Sequence, residues 1–162
     1  MLDLTDDSIT TVPLGGAAVQ SGVTPDGKFV VVSLYDTKQL AVYEIATKKV
    51  RFLKLPPTAR GPVQMYPTPD SRFVYLADQG YYFDQPPSEW VYKIDLQKLA
   101  VVKEIQAGQG PHGVVVSSDG ARVYVTNLLS GDLSVIDTVS DQEVNRLLVG
   151  KEPNGVSVWL KQ

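Results

Sequence analysis

The chain has 162 residues, 43% hydrophobic and 20% charged, with a net charge of −3 at pH 7, which suits one globular domain with a packed core. Its 15 basic residues are scattered among 18 acidic ones, so no basic stripe is present to neutralise phosphates, and the composition argues against nucleic-acid binding. No apolar run approaches the roughly 18–20 residues that span a bilayer, which argues against membrane insertion, and zero cysteines remove disulfides, thiolate metal sites and cysteine nucleophiles.

Residues 1–14 read as the end of a preceding repeat, with Leu2-Asp3-Leu4 as the stub of one strand and Ser8–Leu14 as the next. Met1–Asp7 lacks the basic region and apolar core of a signal peptide. Three full repeats follow, over 15–56, 57–107 and 108–150, and 151–162 reads as the first strand of a further one. Each repeat carries the same turn: Thr24-Pro25-Asp26-Gly27, Thr68-Pro69-Asp70-Ser71 and Ser117-Ser118-Asp119-Gly120. A β-run follows each turn, at Val30–Ser33, Val74–Ala77 and Val123–Thr126. The turn aspartates lie 44 and 49 residues apart, the period of a β-propeller blade of four strands, here A to D. In the third repeat the expected strands are His112–Ser117, Arg122–Asn127, Asp132–Asp137 and Glu143–Val149, with no amphipathic helical stretch anywhere.

Aligning strand C on Ile45, Ile94 and Ile136 gives 25 residues from Ile45 to Asp70 and 25 from Ile94 to Asp119. The reverse interval, from turn aspartate to strand C, is 19, 24 and 17 residues. This alignment assigns all length variation to the connection between strands B and C. The fold class is therefore all-β: about three complete four-stranded antiparallel blades with partial blades at both ends. Closed propellers have roughly 4–8 blades, so the chain is expected either to form part of a larger propeller or to close by oligomerising.

Val123-Tyr124-Val125-Thr126-Asn127 resembles the signature of the YVTN β-propeller repeats. Gly110-Pro111-His112-Gly113-Val114, Ser118-Asp119-Gly120 and Leu133-Ser134-Val135-Ile136-Asp137-Thr138 resemble the rest of that repeat. The first two repeats match less closely, with Val30-Val31-Val32-Ser33-Leu34 and Val74-Tyr75-Leu76-Ala77-Asp78. The resemblance implies a propeller, often of seven blades and commonly extracytoplasmic, hence a periplasmic or cell-surface location. It leaves function open, because relatives range from surface-layer proteins to the haem d1 domain of nitrite reductases, and function resides in the site.

Strand polarity brings the D–A and B–C connections to one face, near the mouth of the central channel. The candidate ligand-binding residues there are Arg60, Tyr81, Tyr82, Phe83, Trp90, His112 and Asn154. The aromatics either form a stacking platform, or cover the blade edge or pack between blades. His112, the single histidine, either ligates a metal or haem or acts as a base, or simply bonds a neighbouring loop. Arg60 either binds an anion or is a solvated charge.

Three apparent motifs carry no chemistry. Gly108–Gly113 matches GxGxxG but opens a strand, not the helix a dinucleotide needs. His112 and Ser117 would stand roughly 16 Å apart along one strand at about 3.3 Å per residue, too far for a dyad. Asp26, Asp70 and Asp119 are turn residues on the opposite face.

The expected function is a non-catalytic binding or scaffold module, with no catalytic residues, no metal and no cofactor. Its partner would be a protein or small-molecule ligand, with self-association through the open end blades. The alternative is an enzyme or cofactor-carrying propeller, lactonase-like or haem-associated, whose other site residues lie in further blades.

Overall fold

The computed structural model describes residue 1 and residues 4–159. Twelve strands form three antiparallel four-stranded meanders, and no helix occurs among the described residues. The first sheet is β1 (Ala18–Val23), β2 (Phe29–Leu34), β3 (Gln39–Glu44) and β4 (Lys49–Lys54). The second is β5 (Pro62–Pro67), β6 (Phe73–Asp78), β7 (Trp90–Asp95) and β8 (Ala100–Gln106). The third is β9 (Pro111–Val116), β10 (Arg122–Asn127), β11 (Asp132–Asp137) and β12 (Gln142–Leu148).

Strand alternation builds the packing between sheets. On β6, Val74 and Leu76 point to a core shared with Val31, Leu40 and Val42 of the first sheet. Tyr75 and Ala77 point the other way, to a core shared with Val114, Val123, Val125 and Ile136 of the third. The central strands of the second sheet are thus buried on both faces and read as near-continuous apolar runs, while the outer strands β4 and β12 are mostly exposed. Strand A of each blade starts the same way, with Ala18, Pro62 and Pro111 opposite Leu34, Asp78 and Asn127, each followed by a bulge. Proline fits there because the first residue of an irregular strand donates nothing to the ladder.

The A–B turns are closed by their own side chains. The hydroxyls of Thr24, Thr68 and Ser117 bond the carboxylates of Asp26, Asp70 and Asp119 at 2.7, 2.5 and 2.6 Å. The same carboxylates accept the backbone N–H of Lys28, Arg72 and Ala121. All three aspartates are structural, and Gly108–Gly113 runs into a strand through Gly110 at φ 67°.

The register differs from the isoleucine alignment. The residues opposite Val30, Val74 and Val123 are Tyr43, Ile94 and Ile136, so Ile45 lies two positions beyond its supposed equivalent. Corrected, the B–C connections are 35–38, 79–89 and 128–131, and the D–A connections are 55–61 and 107–110. Length therefore varies in both connection types. The end strands also differ. Within Ser8–Leu14 only Ile9 makes an isolated bridge, and no strand forms over 153–159. Next to that bridge, Thr10 donates its N–H to the Met1 carbonyl at 2.8 Å, and its own carbonyl accepts from the Met1 amino group at 2.7 Å. Residues 2, 3 and 160 of these expected strands lie outside the described residues.

Candidate functional site

The two longest connections meet at the seam of the first and second blades. The D–A loop 55–61 is held from behind by Asp78 at the end of β6. Its carboxylate accepts the backbone N–H of Arg60 at 2.9 and 3.0 Å and of Gly61 at 2.6 Å. Asp78 is fully buried. Burial pushes its pKa up, against the hydrogen bonds from Ser88, Gly61 and Arg60 that favour the ionised form. Gly61 lies flat against the Tyr35 ring, where a Cβ would stand 2.3 Å from the ring carbons.

The B–C loop of the second blade is seven residues longer than its counterparts, 79–89 against 35–38 and 128–131. Its base is clamped by Ser88 N–H to the Gln79 carbonyl at 2.9 Å and Gln79 N–H to the Gly61 carbonyl at 2.9 Å. Its tip is fixed to the first blade by Tyr35, whose buried hydroxyl lies 3.0 Å from the Gly80 carbonyl and 2.8 Å from the Tyr82 carbonyl. Burial raises the Tyr35 pKa, with some opposition from the Tyr82 backbone, so the phenol remains a neutral donor. The loop folds through four left-handed residues, Gly80, Tyr81, Phe83 and Asp84, at φ 63°, 69°, 52° and 60°. Three of these carry side chains, and such conformations cost of the order of 1 kcal/mol or more each.

This arrangement leaves Phe83 81% exposed, its ring edge-on to Tyr35 with centroids 5.4 Å apart. Tyr81 and Tyr82 form a second edge-to-face pair at 5.4 Å and are about half exposed. Below Phe83 lies a cavity of about 390 Å³ walled by Ala17, Tyr35, Asp36, Lys38, Arg60, Phe83 and Gln85. Its volume falls in the range of small-molecule sites.

The expected site residues therefore divide. Arg60 and Phe83 line one cavity, and Tyr81 and Tyr82 belong to the same loop. Trp90 is not part of that platform: as the first residue of β7 it packs, with Leu53 and Phe29, on the core between the first two sheets. His112 and Asn154 form a separate contact, His112 Nδ1 to the Asn154 carbonyl at 2.8 Å, so the imidazole bonds a neighbouring loop. Sequence reasoning missed Tyr35, Lys38, Asp78 and Gln85. A signal existed for Asp78, since the polar residue ending strand B recurs as Asn127 in the third blade.

Among the described residues, no group of three or more His, Cys, Asp or Glu side chains is placed to hold a metal ion, and no helix is long and apolar enough to cross a membrane.

Three repeated four-stranded meanders packed face to face define a β-propeller. The chain belongs to the YNCE-like β-propeller family, which matches residues 2–161. A curated relative, the dihydro-heme d1 dehydrogenase of Pseudomonas aeruginosa, is 39% identical over 70 residues, 43% of this chain and 13% of that protein. The Kuenenia stuttgartiensis hydrazine synthase structure superposes with a TM-score of 0.76 at 24% identity, covering 91% of this chain and 40% of that one. The U3-55K structure gives 0.71 at 13% identity, covering 85% of this chain and 41% of that one. The RRP9 WD40 repeats give 0.72 at 12% identity, covering 85% and 40%. The chain thus spans about two fifths of these solved structures and a smaller part of the curated relative, and the structural likenesses show the fold.

Proposed function

We propose that the chain is a non-catalytic propeller binding module whose ligand contacts lie on the face bearing the D–A and B–C connections. We place it outside the cytoplasm, reading the Val123–Asn127 signature as that of the extracytoplasmic YVTN-type repeats. The observation that carries the binding reading is the 79–89 loop. It holds three non-glycine residues in left-handed conformations, and it leaves a phenylalanine 81% exposed over a cavity. Local strain and an exposed aromatic ring both oppose stability, and both are characteristic of a surface kept for binding.

The test is deletion of Tyr81–Pro87, which leaves Gln79-Gly80-Ser88-Glu89, a connection as short as those of the other two blades. Combined with Tyr35→Phe, so that no hydroxyl loses its partner, the deletion is expected to fold. A small-molecule thermal-shift panel should then contain compounds that stabilise the parent and not the shortened protein. Identical shifts across the panel would contradict the binding reading.

One observation favours a second reading, a cofactor-carrying propeller: the 70-residue match to a dihydro-heme d1 dehydrogenase. His112 fits such a role in one respect. Donation of its Nδ1–H to the Asn154 carbonyl leaves Nε2 as the nitrogen with the lone pair, and a metal-ligating histidine usually bonds its other ring N–H to a carbonyl or carboxylate in this way. A visible absorption band in the full-length protein that disappears in His112→Ala supports this reading, and a spectrum without a band opposes it.

A further inference from the structure

We propose that the cavity at the seam of the first two blades binds a small flat organic anion, a ring-bearing carboxylate, with its ring against Phe83 and its charge between Arg60 and Lys38. This inference rests on the binding reading above and specifies its ligand.

The charge assignment follows from what each wall residue already bonds. Arg60 is fixed through its backbone by Asp78, while its guanidinium makes no hydrogen bond or ion pair to the other described residues. Lys38 Nζ donates to a neutral acceptor, Gln85 Oε1, at 3.1 Å. The wall carboxylate, Asp36, has its Oδ1 occupied by the backbone N–H groups of Ala17 and Thr37, each at 2.8 Å. Two cations therefore face a cavity with one carboxylate, of which one oxygen already accepts two backbone donors. The adjacent Asp78 attracts Lys38 from behind the wall, but it is enclosed by its own donors and does not line the cavity. A planar guanidinium with open N–H donors matches a carboxylate in a two-pronged geometry.

The ring requirement comes from the opposite wall. Phe83 is held at φ 52° with its ring exposed, and the Tyr35 ring behind it is locked by two loop carbonyls. These rings and Ala17 supply the apolar part of the cavity. An inorganic ion would leave that part empty, and a neutral ring would leave the Arg60 guanidinium without a partner and Lys38 with the neutral Gln85 as its hydrogen-bond acceptor.

The experiment is calorimetric titration of the full chain with 2-naphthoate, with 2-naphthylmethanol as the uncharged comparison and inorganic phosphate as the ring-free one. The expected result is that 2-naphthoate binds at least ten-fold more tightly than either comparison. Arg60→Gln and Phe83→Ala, both substitutions of surface side chains, should each weaken it at least ten-fold without altering the melting temperature. Equal binding of the alcohol would overturn the anion, and equal binding of phosphate would overturn the ring. Unchanged affinity in either variant, or no 2-naphthoate binding at all, would overturn the site. The loop-shortening panel separates this failure from failure of the binding reading. If other compounds still distinguish parent from shortened protein, only the ligand class falls. If none does, both fall.

Discussion

Single side chains carry polar contacts between blades, and two of them lend themselves to quantitative tests. Tyr35 ties the 79–89 loop to the first blade through its hydroxyl. Tyr35→Phe should cost about 1 kcal/mol, the net value of a buried hydrogen bond, and should speed proteolytic cleavage within residues 81–87. Lys93 does similar work between the second and third blades. It is mostly buried, bonds Asp141 at 2.7 Å and the Thr138 carbonyl at 3.1 Å, and lies over the Phe73 ring at 4.8 Å. Breaking a fully buried ion pair costs about 3–5 kcal/mol, and the 21% exposure of the Asp141 side chain lowers that figure here. Lys93→Met should therefore cost about 2 kcal/mol. Asp141→Asn on top should recover at least half, because asparagine tolerates the residue's φ of 54°. Chemical denaturation of the full double-mutant cycle reads the coupling.

Turns, strands and loops were legible in the sequence to different degrees, and the reasons are physical. The A–B turns were plain because a hydroxyl, a carboxylate and a glycine or serine at fixed spacing close the turn locally. Strands B and C of the third blade, Arg122–Asn127 and Asp132–Asp137, follow from their β-branched runs and form at those bounds. The strand C register did not follow, because backbone pairing sets it and residue identity does not: Tyr43, not Ile45, stands where the other blades have isoleucine. Trp90 was within reach of period-2 alternation, which groups it with Tyr92 and Ile94 on the face of β7 that packs against the first sheet. The cavity was not legible, since Tyr35, Lys38, Arg60 and Phe83 come from three separate connections. Two predictions belong to these elements. Gly61→Ala would drive a methyl into the Tyr35 ring and should cost about 1–3 kcal/mol, read as a lower melting temperature. The turns also set an acid response. The Ser117 hydroxyl and the Ala121 amide hold the Asp119 pKa low, with slight opposition from burial. Its folded pKa lies below the unfolded one, so its stabilisation is present above the ordinary carboxylate range and is lost as pH falls through the folded value. Asp119→Asn should therefore be less stable than the parent at neutral pH and converge with it in acid. Asp78 runs the other way: its raised pKa gives stability that is fully present below the unfolded value and is lost as pH rises.

Across the whole molecule, the second sheet is covered on both faces, while the third turns Tyr124, Leu133, Val135 and Leu147 away from it. Leu147 is 47% exposed and Leu148 89% exposed on the outer strand. A blade buries its faces only against neighbours. Light scattering over a tenfold concentration range should thus show mass above that of one chain at the high end, reduced by Leu147→Lys. The central claim, however, concerns the seam between the first two blades. The chain has four phenylalanines: Phe29 and Phe73 open strands at the A–B turns, Phe52 lies on the outer strand β4, and Phe83 is at the cavity. Uniform 4-fluorophenylalanine labelling followed by fluorine NMR titration with 2-naphthoate therefore reports on four places at once. The account predicts that the Phe83 resonance moves while those of Phe29, Phe52 and Phe73 stay in place. A stationary Phe83 resonance, or movement centred on any of the other three, would contradict it.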